Sequence, residues 1–125
     1  MATRLIYRIE TPAGVGAYAA RVDWYGHDSD GPGPYDEVRH PTPREDSALG
    51  WRDMPYDEQQ KHHFGFASED QMRAWFYRDE WMRAMNAVGL QLTVWEVSVE
   101  DSSVGNSQAV FRRDRATLIE TRPLV

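Results

Sequence analysis

The amino-acid sequence predicts one α+β domain over residues 1–125, built on a mostly antiparallel sheet with one main helix. Two observations carry this prediction. The predicted elements follow the order strand, long loop, strand, helix and three further strands. The chain of 125 residues, with 41% hydrophobic and 12% aromatic residues, is also long enough to bury one core.

The first element is a strand predicted over residues 3–10, where Tyr7 and Arg8 point to opposite faces. A turn or flexible loop follows over residues 11–16. A short second strand is predicted over residues 61–66, directly before the helix.

The chain changes character between these strands, because residues 26–60 have no sustained hydrophobic period. Prolines occur in this stretch at positions 32, 34, 41, 43 and 55. The pattern predicts a long irregular segment, and such segments inside compact domains are usually functional or mobile. We expect this one to cover a face of the sheet or to form one wall of a cleft.

Residues 69–88 are predicted to form the main helix, with a signal at each end. Ser68 is an N-cap candidate, and Gln71 three residues later completes a capping-box pattern. Gly89 is the expected stop, because glycine accepts the left-handed conformation that ends a helix. Asp79 interrupts the predicted buried face, which indicates a kink or a rotation there. The apolar residues of that face are Met72, Trp75, Phe76, Met82 and Met85.

The strand after the helix is predicted over residues 90–100 and has apolar residues on both faces. Leu92 and Val94 lie on one face, and Trp95 and Val97 lie on the other, as expected for a central strand. The remaining predicted elements are a hairpin-type turn over 101–106 and strands over 107–113 and 116–122.

Composition excludes several classes of function. The sequence has no apolar run near the roughly 18 residues that suggest a membrane span, and its start lacks a signal-peptide core. We therefore expect a cytoplasmic protein that does not contact a membrane. The absence of cysteine excludes disulfides and thiolate metal sites. A formal net charge of −6 argues against direct binding to nucleic acid, which depends on neutralising phosphates.

Histidines and tryptophans are the next candidates for a site. His62 and His63 are adjacent, so on a strand their side chains point to opposite faces and do not easily ligate one metal ion. We expect no metal site.

Trp24 and Trp51 lie beside or within the irregular segment. Either of them is a candidate to stack on a planar ligand, and packing in the core is the alternative.

Three short patches resemble the ADP-ribosyltransferase-like fold: Tyr7-Arg8, Phe66-Ala67-Ser68 and Ser107-Gln108-Ala109-Val110-Phe111. The resemblance implies that an arginine on the first strand, a serine at the end of a second strand and a glutamate before a late strand meet around NAD. It assigns Arg8 to phosphate or ribose contact, Ser68 to the nicotinamide side and Gln108 to the catalytic position. Glutamine lacks the carboxylate that steadies a developing positive charge. The resemblance therefore implies weak, altered or absent transferase activity, and whether the protein is an enzyme stays open.

The segments GPY, HPTP and GFAS, in the irregular segment and before the helix, resemble those of small bacteriophage or prophage proteins. This second resemblance implies host takeover or anti-defence work in the cytoplasm of the host cell.

Functions of different classes follow from these observations. The first is binding of an NAD- or ADP-ribose-like nucleotide, with Trp24 or Trp51 on the base; it requires that Arg8 and Ser68 face one hollow. The second is a non-enzymatic inhibitor that binds a host protein through an acidic loop surface, and a third, a virion or assembly protein, predicts a homo-oligomer. The residues of the acidic surface are Asp28, Asp30, Asp36, Glu37, Glu45 and Asp46.

Overall fold

The computed structural model describes residues 2–17 and 46–125. Predictions that concern residues 18–45, including Trp24 and most of the acidic loop surface, lie outside the described residues. Within the described part, two antiparallel sheets of three strands each combine with three α-helices. The predicted α+β class and the antiparallel sheet arrangement are confirmed.

The larger sheet has the predicted long strand at its centre. Its strands are β1 (Thr3–Glu10), β3 (Gln91–Ser98) and β6 (Thr117–Arg122). The order is β1-β3-β6, and both pairings are antiparallel. Leu92 and Val94 are buried on one face of β3, and Trp95 and Val97 on the other. The prediction of a central strand is confirmed.

The smaller sheet continues from the edge of β1. Its strands, in spatial order, are β2 (His63–Gly65), β5 (Ala109–Phe111) and β4 (Ser102–Val104). One backbone pair joins the sheets: Tyr7 N–H donates to Phe66 O at 2.8 Å, and Phe66 N–H donates to Tyr7 O at 2.7 Å. The prediction of a turn over residues 101–106 is wrong for residues 102–104, which form β4. The turn follows that strand, where Gly105 N–H donates to Gln108 O at 2.8 Å.

The prediction of a single helix over residues 69–88 is wrong, because the structure has two helices there. They are α2 (Glu69–Trp75) and α3 (Asp79–Ala87). Phe76 at the break is buried, and so are Trp75 before it and Trp81 after it, with exposures of 4%, 7% and 2%. The break lets residues on both sides face the core, and it places Asp79 at the start of a helix, where a negative charge is favourable.

The prediction that residues 26–60 are irregular is also wrong at the C-terminal end of that range, where the structure has regular elements. Residues 47–49 and 51–53 form short 3₁₀ turns, and α1 (Tyr56–Lys61) follows. Pro55 precedes the first turn of α1, and Asp57 and Glu58 lie in that turn. Proline is tolerated at a helix start because the amides there have no partner within the helix, and acidic residues in the first turn complement the helix dipole.

Two apolar clusters lie on opposite faces of the larger sheet. On one face, α2 and α3 pack through Met72, Trp81 and Met85 against β3. On the other face, Phe111 of β5 packs against Trp95 of β3. The described part is therefore layered as helices, larger sheet and smaller sheet. None of its helices is long and apolar enough to cross a membrane.

Candidate functional site

A hollow of about 520 Å³ opens beside the N-terminal half of β1. Arg4, Leu5 and Tyr7 of β1 form one wall. Residues 67–68, between β2 and α2, form a second wall, and Val99 and Val104 close the third side. Its volume lies within the range of about 300–1,000 Å³ that is typical of ligand sites.

The hollow lies at the edge of β1 rather than on a face. Arg4 and Leu5 are neighbours in an extended strand, so their side chains point to opposite faces of the sheet. Both line the hollow, and this requires the hollow to be beside the strand. Because β3 occupies the other edge of β1, the hollow lies on the edge that carries the Tyr7–Phe66 pair.

The residues that line the walls are mostly apolar, with one cation, on Arg4, and two hydroxyls, on Tyr7 and Ser68. The side chain of Arg4 is partly buried and makes no ion pair with another described residue. The hydroxyl of Ser68 accepts a hydrogen bond from Gln71 N–H at 3.0 Å and so caps α2, as predicted. Gln71 reaches back, and its Oε1 accepts from Ala67 N–H at 2.7 Å. The wall formed by residues 67–68 is therefore held by the start of α2.

Arg8 lies on the other face of β1 from Tyr7, as predicted, and is buried at 7% exposure. Each of its guanidinium nitrogens already has an oxygen partner. Nη1 donates to Phe64 O at 2.6 Å, and Nη2 donates to Gly14 O at 3.3 Å. Nε lies 3.4 Å from the carboxylate of Glu10. Burial lowers the pKa of Arg8, an effect that the charge of Glu10 opposes.

Glu10 is the centre of this buried polar cluster, with 1% exposure. Its carboxylate lies 3.2 Å from Nε of Arg113 and accepts from the Thr93 hydroxyl at 2.9 Å. The Thr93 oxygen in turn accepts from the Trp95 indole N–H at 2.9 Å. The guanidinium of Arg113 lies over the Trp95 ring, 4.6 Å from its centroid. These contacts tie β1 to β3 and to the chain after β5.

The cluster is arranged for stability rather than for binding an anion. An arginine fork recognises a phosphate by offering accessible N–H groups, whereas each guanidinium nitrogen of Arg8 already has an oxygen partner and the residue is 7% exposed. A buried carboxylate between two arginines is also satisfied within the protein. We assign Arg8 and Glu10 a structural role.

His63, beside this cluster, is expected to give stability a pH dependence. Burial and the charges of Arg8 and Arg113 lower its pKa below 6.5, against the smaller effects of Glu10 and Asp114. The unfolded chain therefore binds a proton at higher pH than the native protein, so stability is lost as pH falls below 6.5. Urea unfolding midpoints between about pH 8 and about pH 5 should fall less in His63→Gln than in wild type. An equal fall in both proteins would contradict this assignment.

The structure separates the site residues predicted from sequence. Ser68 lines the hollow, but Arg8 points to the other face of β1. Gln108 is buried at 5% exposure beside the turn between β4 and β5, and it is not among the described residues that line the hollow. Trp51 packs on Phe64, with ring centroids 5.1 Å apart.

Asp46, the described member of the predicted acidic surface, is not a surface charge. It is 4% exposed, and its carboxylate accepts from Asn106 N–H at 3.0 Å and Ser107 N–H at 3.1 Å. Sequence reasoning also missed Arg4 and Leu5. The signal for them was present, because both lie in the predicted first strand, but only the pairing of β1 shows which part of its edge is open.

These features define a small α+β protein of two antiparallel sheets, with an open strand edge beside a hollow. A family model described as Bacteriophage T4 Y00F protein matches residues 1–125. The chain belongs to this family, so it is a phage-type protein, and the predicted resemblance to phage proteins is confirmed.

One relative is a protein of Enterobacteria phage T4 described as an uncharacterized 19.7 kDa protein in the motB-dexA intergenic region. It is 39% identical over 57 residues, which are 46% of this chain and 34% of that protein. The match thus spans about a third of the relative's length. No solved structure matches the chain. None of these comparisons supports the resemblance to the ADP-ribosyltransferase-like fold.

Proposed function

We propose that this phage protein acts by binding a host protein, without catalysis, at the open edge of β1. The observation that carries the proposal is the second edge of β1, which pairs with no described residue in its N-terminal half and borders a hollow with mostly apolar walls. An open strand edge is a template for pairing with another chain, and apolar walls add burial to that contact. The binding would take place in the host cytoplasm, the compartment expected from the sequence.

This function is favoured over nucleotide binding by the state of Arg8. The nucleotide function needs Arg8 at a phosphate, together with Ser68, around one hollow. The guanidinium is buried among Glu10, Phe64 O and Gly14 O instead, on the face of β1 opposite Tyr7. The proposal keeps the host-protein inhibitor as the class of function and moves its contact surface from the acidic loop to β1.

The test compares two exposed leucines on different strands. Leu5, at 41% exposure, lines the hollow, and Leu118, at 48% exposure, lies on β6. Affinity capture from a host lysate, read by quantitative mass spectrometry, should retain the same host protein on wild type and on Leu118→Asp. Leu5→Asp should retain at least about tenfold less, because it places a charge against apolar walls.

Two results would overturn the proposal. One is that wild type retains no host protein above background, or that the three proteins retain it equally. The other is that NAD or ADP-ribose raises the unfolding temperature of wild type, as a ligand of the native state does. That second result would favour nucleotide binding over host-protein binding as the function.

A further inference from the structure

We infer that the occupant of the hollow is an extended segment of the partner protein, which adds to β1 as a strand and carries an acidic residue next to an apolar one. The inference rests on the proposed function and names the chemistry of its partner. Its basis is the direction of the β1 backbone groups, the capped start of α2 beside them and the charge of Arg4, which has no ion-pair partner among the described residues.

The backbone groups of Leu5 face the hollow. Tyr7 directs both its N–H and its C=O at Phe66, away from β3. In an antiparallel strand, residues two positions apart direct their backbone groups to the same edge. Leu5 and Thr3 therefore direct theirs to the edge that carries the Tyr7–Phe66 pair. Among the described residues, none bonds to the backbone of Leu5 from that side.

The gap opposite Leu5 is fixed by the start of α2. Continuing the pairing of Tyr7 with Phe66 would bring Ser68 opposite Leu5. Ser68 is committed to capping α2, and Gln71 secures the residue before it. Because residues 67–68 are bonded to the start of α2 and no described residue bonds to the Leu5 backbone, this strand edge is available to a strand from elsewhere.

The side chains of Leu5 and Arg4 determine which residue types suit neighbouring positions of the bound segment. A residue paired with Leu5 would point to the face of Leu5 and Tyr7, and its neighbour would point to the face of Arg4. The first of these positions suits an apolar side chain, since Leu5 is 41% exposed. The second suits a carboxylate, because Arg4 is partly buried and has no ion-pair partner among the described residues.

A second exposed edge, on β6, is a weaker candidate and serves as the control. Leu118 and Ile119 are exposed there, at 48% and 53%. Its charges, Glu120 and Arg122, and the register shift opposite Val94 and Trp95 are features that protect an edge from pairing.

The test uses a library of random peptides about six residues long, the usual length of a strand. Selection on the purified full chain should enrich peptides with an acidic residue next to an apolar one. Calorimetry with the best synthetic peptide then compares wild type with three variants. Arg4→Glu should weaken binding about tenfold or more, Leu5→Pro should abolish it, and Leu118→Asp should leave it unchanged.

The proline variant removes the backbone donor of Leu5 together with its side chain. The N–H of Leu5 has no partner among the described residues of the free protein, and proline is tolerated at such edge positions. If Leu5→Pro nevertheless unfolds, the Arg4→Glu comparison decides. The inference is overturned if no such peptide is enriched, or if the peptide binds Arg4→Glu as tightly as wild type. In either case, capture of a host protein that is lost in Leu5→Asp would leave the proposed function standing.

Discussion

Glu10→Ala is expected to lower the free energy of unfolding by about 3–5 kcal/mol, the cost of breaking a buried ion pair. Glu10 is 1% exposed, and its carboxylate lies between Arg8 and Arg113. Its removal leaves the buried guanidinium of Arg8 without a counter-charge. It also removes the carboxylate oxygen to which the Thr93 hydroxyl donates. Urea denaturation followed by tryptophan fluorescence measures the loss.

The matched control for this prediction is Glu96→Ala. Glu96 lies on β3, the neighbouring strand, and is exposed. Its removal should change the free energy of unfolding by no more than about 0.5 kcal/mol. A Glu10→Ala loss as small as that of the control would mean that the buried cluster does not hold β1 in place.

Phe111→Ala is expected to cost about 3–5 kcal/mol, the usual effect of removing a large ring from a core. Phe111 is 0% exposed and packs on Trp95, with ring centroids 6.1 Å apart. This contact joins the smaller sheet to the larger one, so the cavity would open between the two layers.

Phe64→Ala supplies the comparison, because Phe64 is the same residue type on the neighbouring strand β2 but is 39% exposed. Its ring packs on Trp51 near the surface, and its loss should cost about 1 kcal/mol. Equal losses in the two variants would contradict the assignment of Phe111 to the apolar cluster between the sheets.

Local signals in the sequence predicted local structure well. Ser68 caps α2 as expected, because a cap depends only on residues within one turn. The alternation around Val94 and Trp95 predicted a central strand, because each face of β3 has its own apolar cluster.

Tertiary contacts decided what the sequence did not. The break at Phe76 follows from the need of both helices to face one core, and no glycine or proline marks it. The three residues of β4 form a strand because β5 pairs with them, although the sequence suggested a turn.

The candidate site was the hardest feature to predict. Arg8 was correctly placed opposite Tyr7, but its partners come from residues 10, 14 and 64, whose convergence no local pattern indicates. The open edge of β1 depends on where pairing with residue 66 ends. Pairing between distant segments is a property of the fold rather than of either segment alone.

Hydrogen exchange at the amide of Leu5, followed by NMR, reports strand addition at the edge of β1. In the free protein this amide should exchange quickly, whereas the Tyr7 amide, bonded to Phe66 O, should be protected. With the captured host protein or the selected peptide bound, the Leu5 amide should become protected as well. A Leu5 amide that is already as protected as that of Tyr7, or that stays unprotected in the complex, would contradict strand addition at β1.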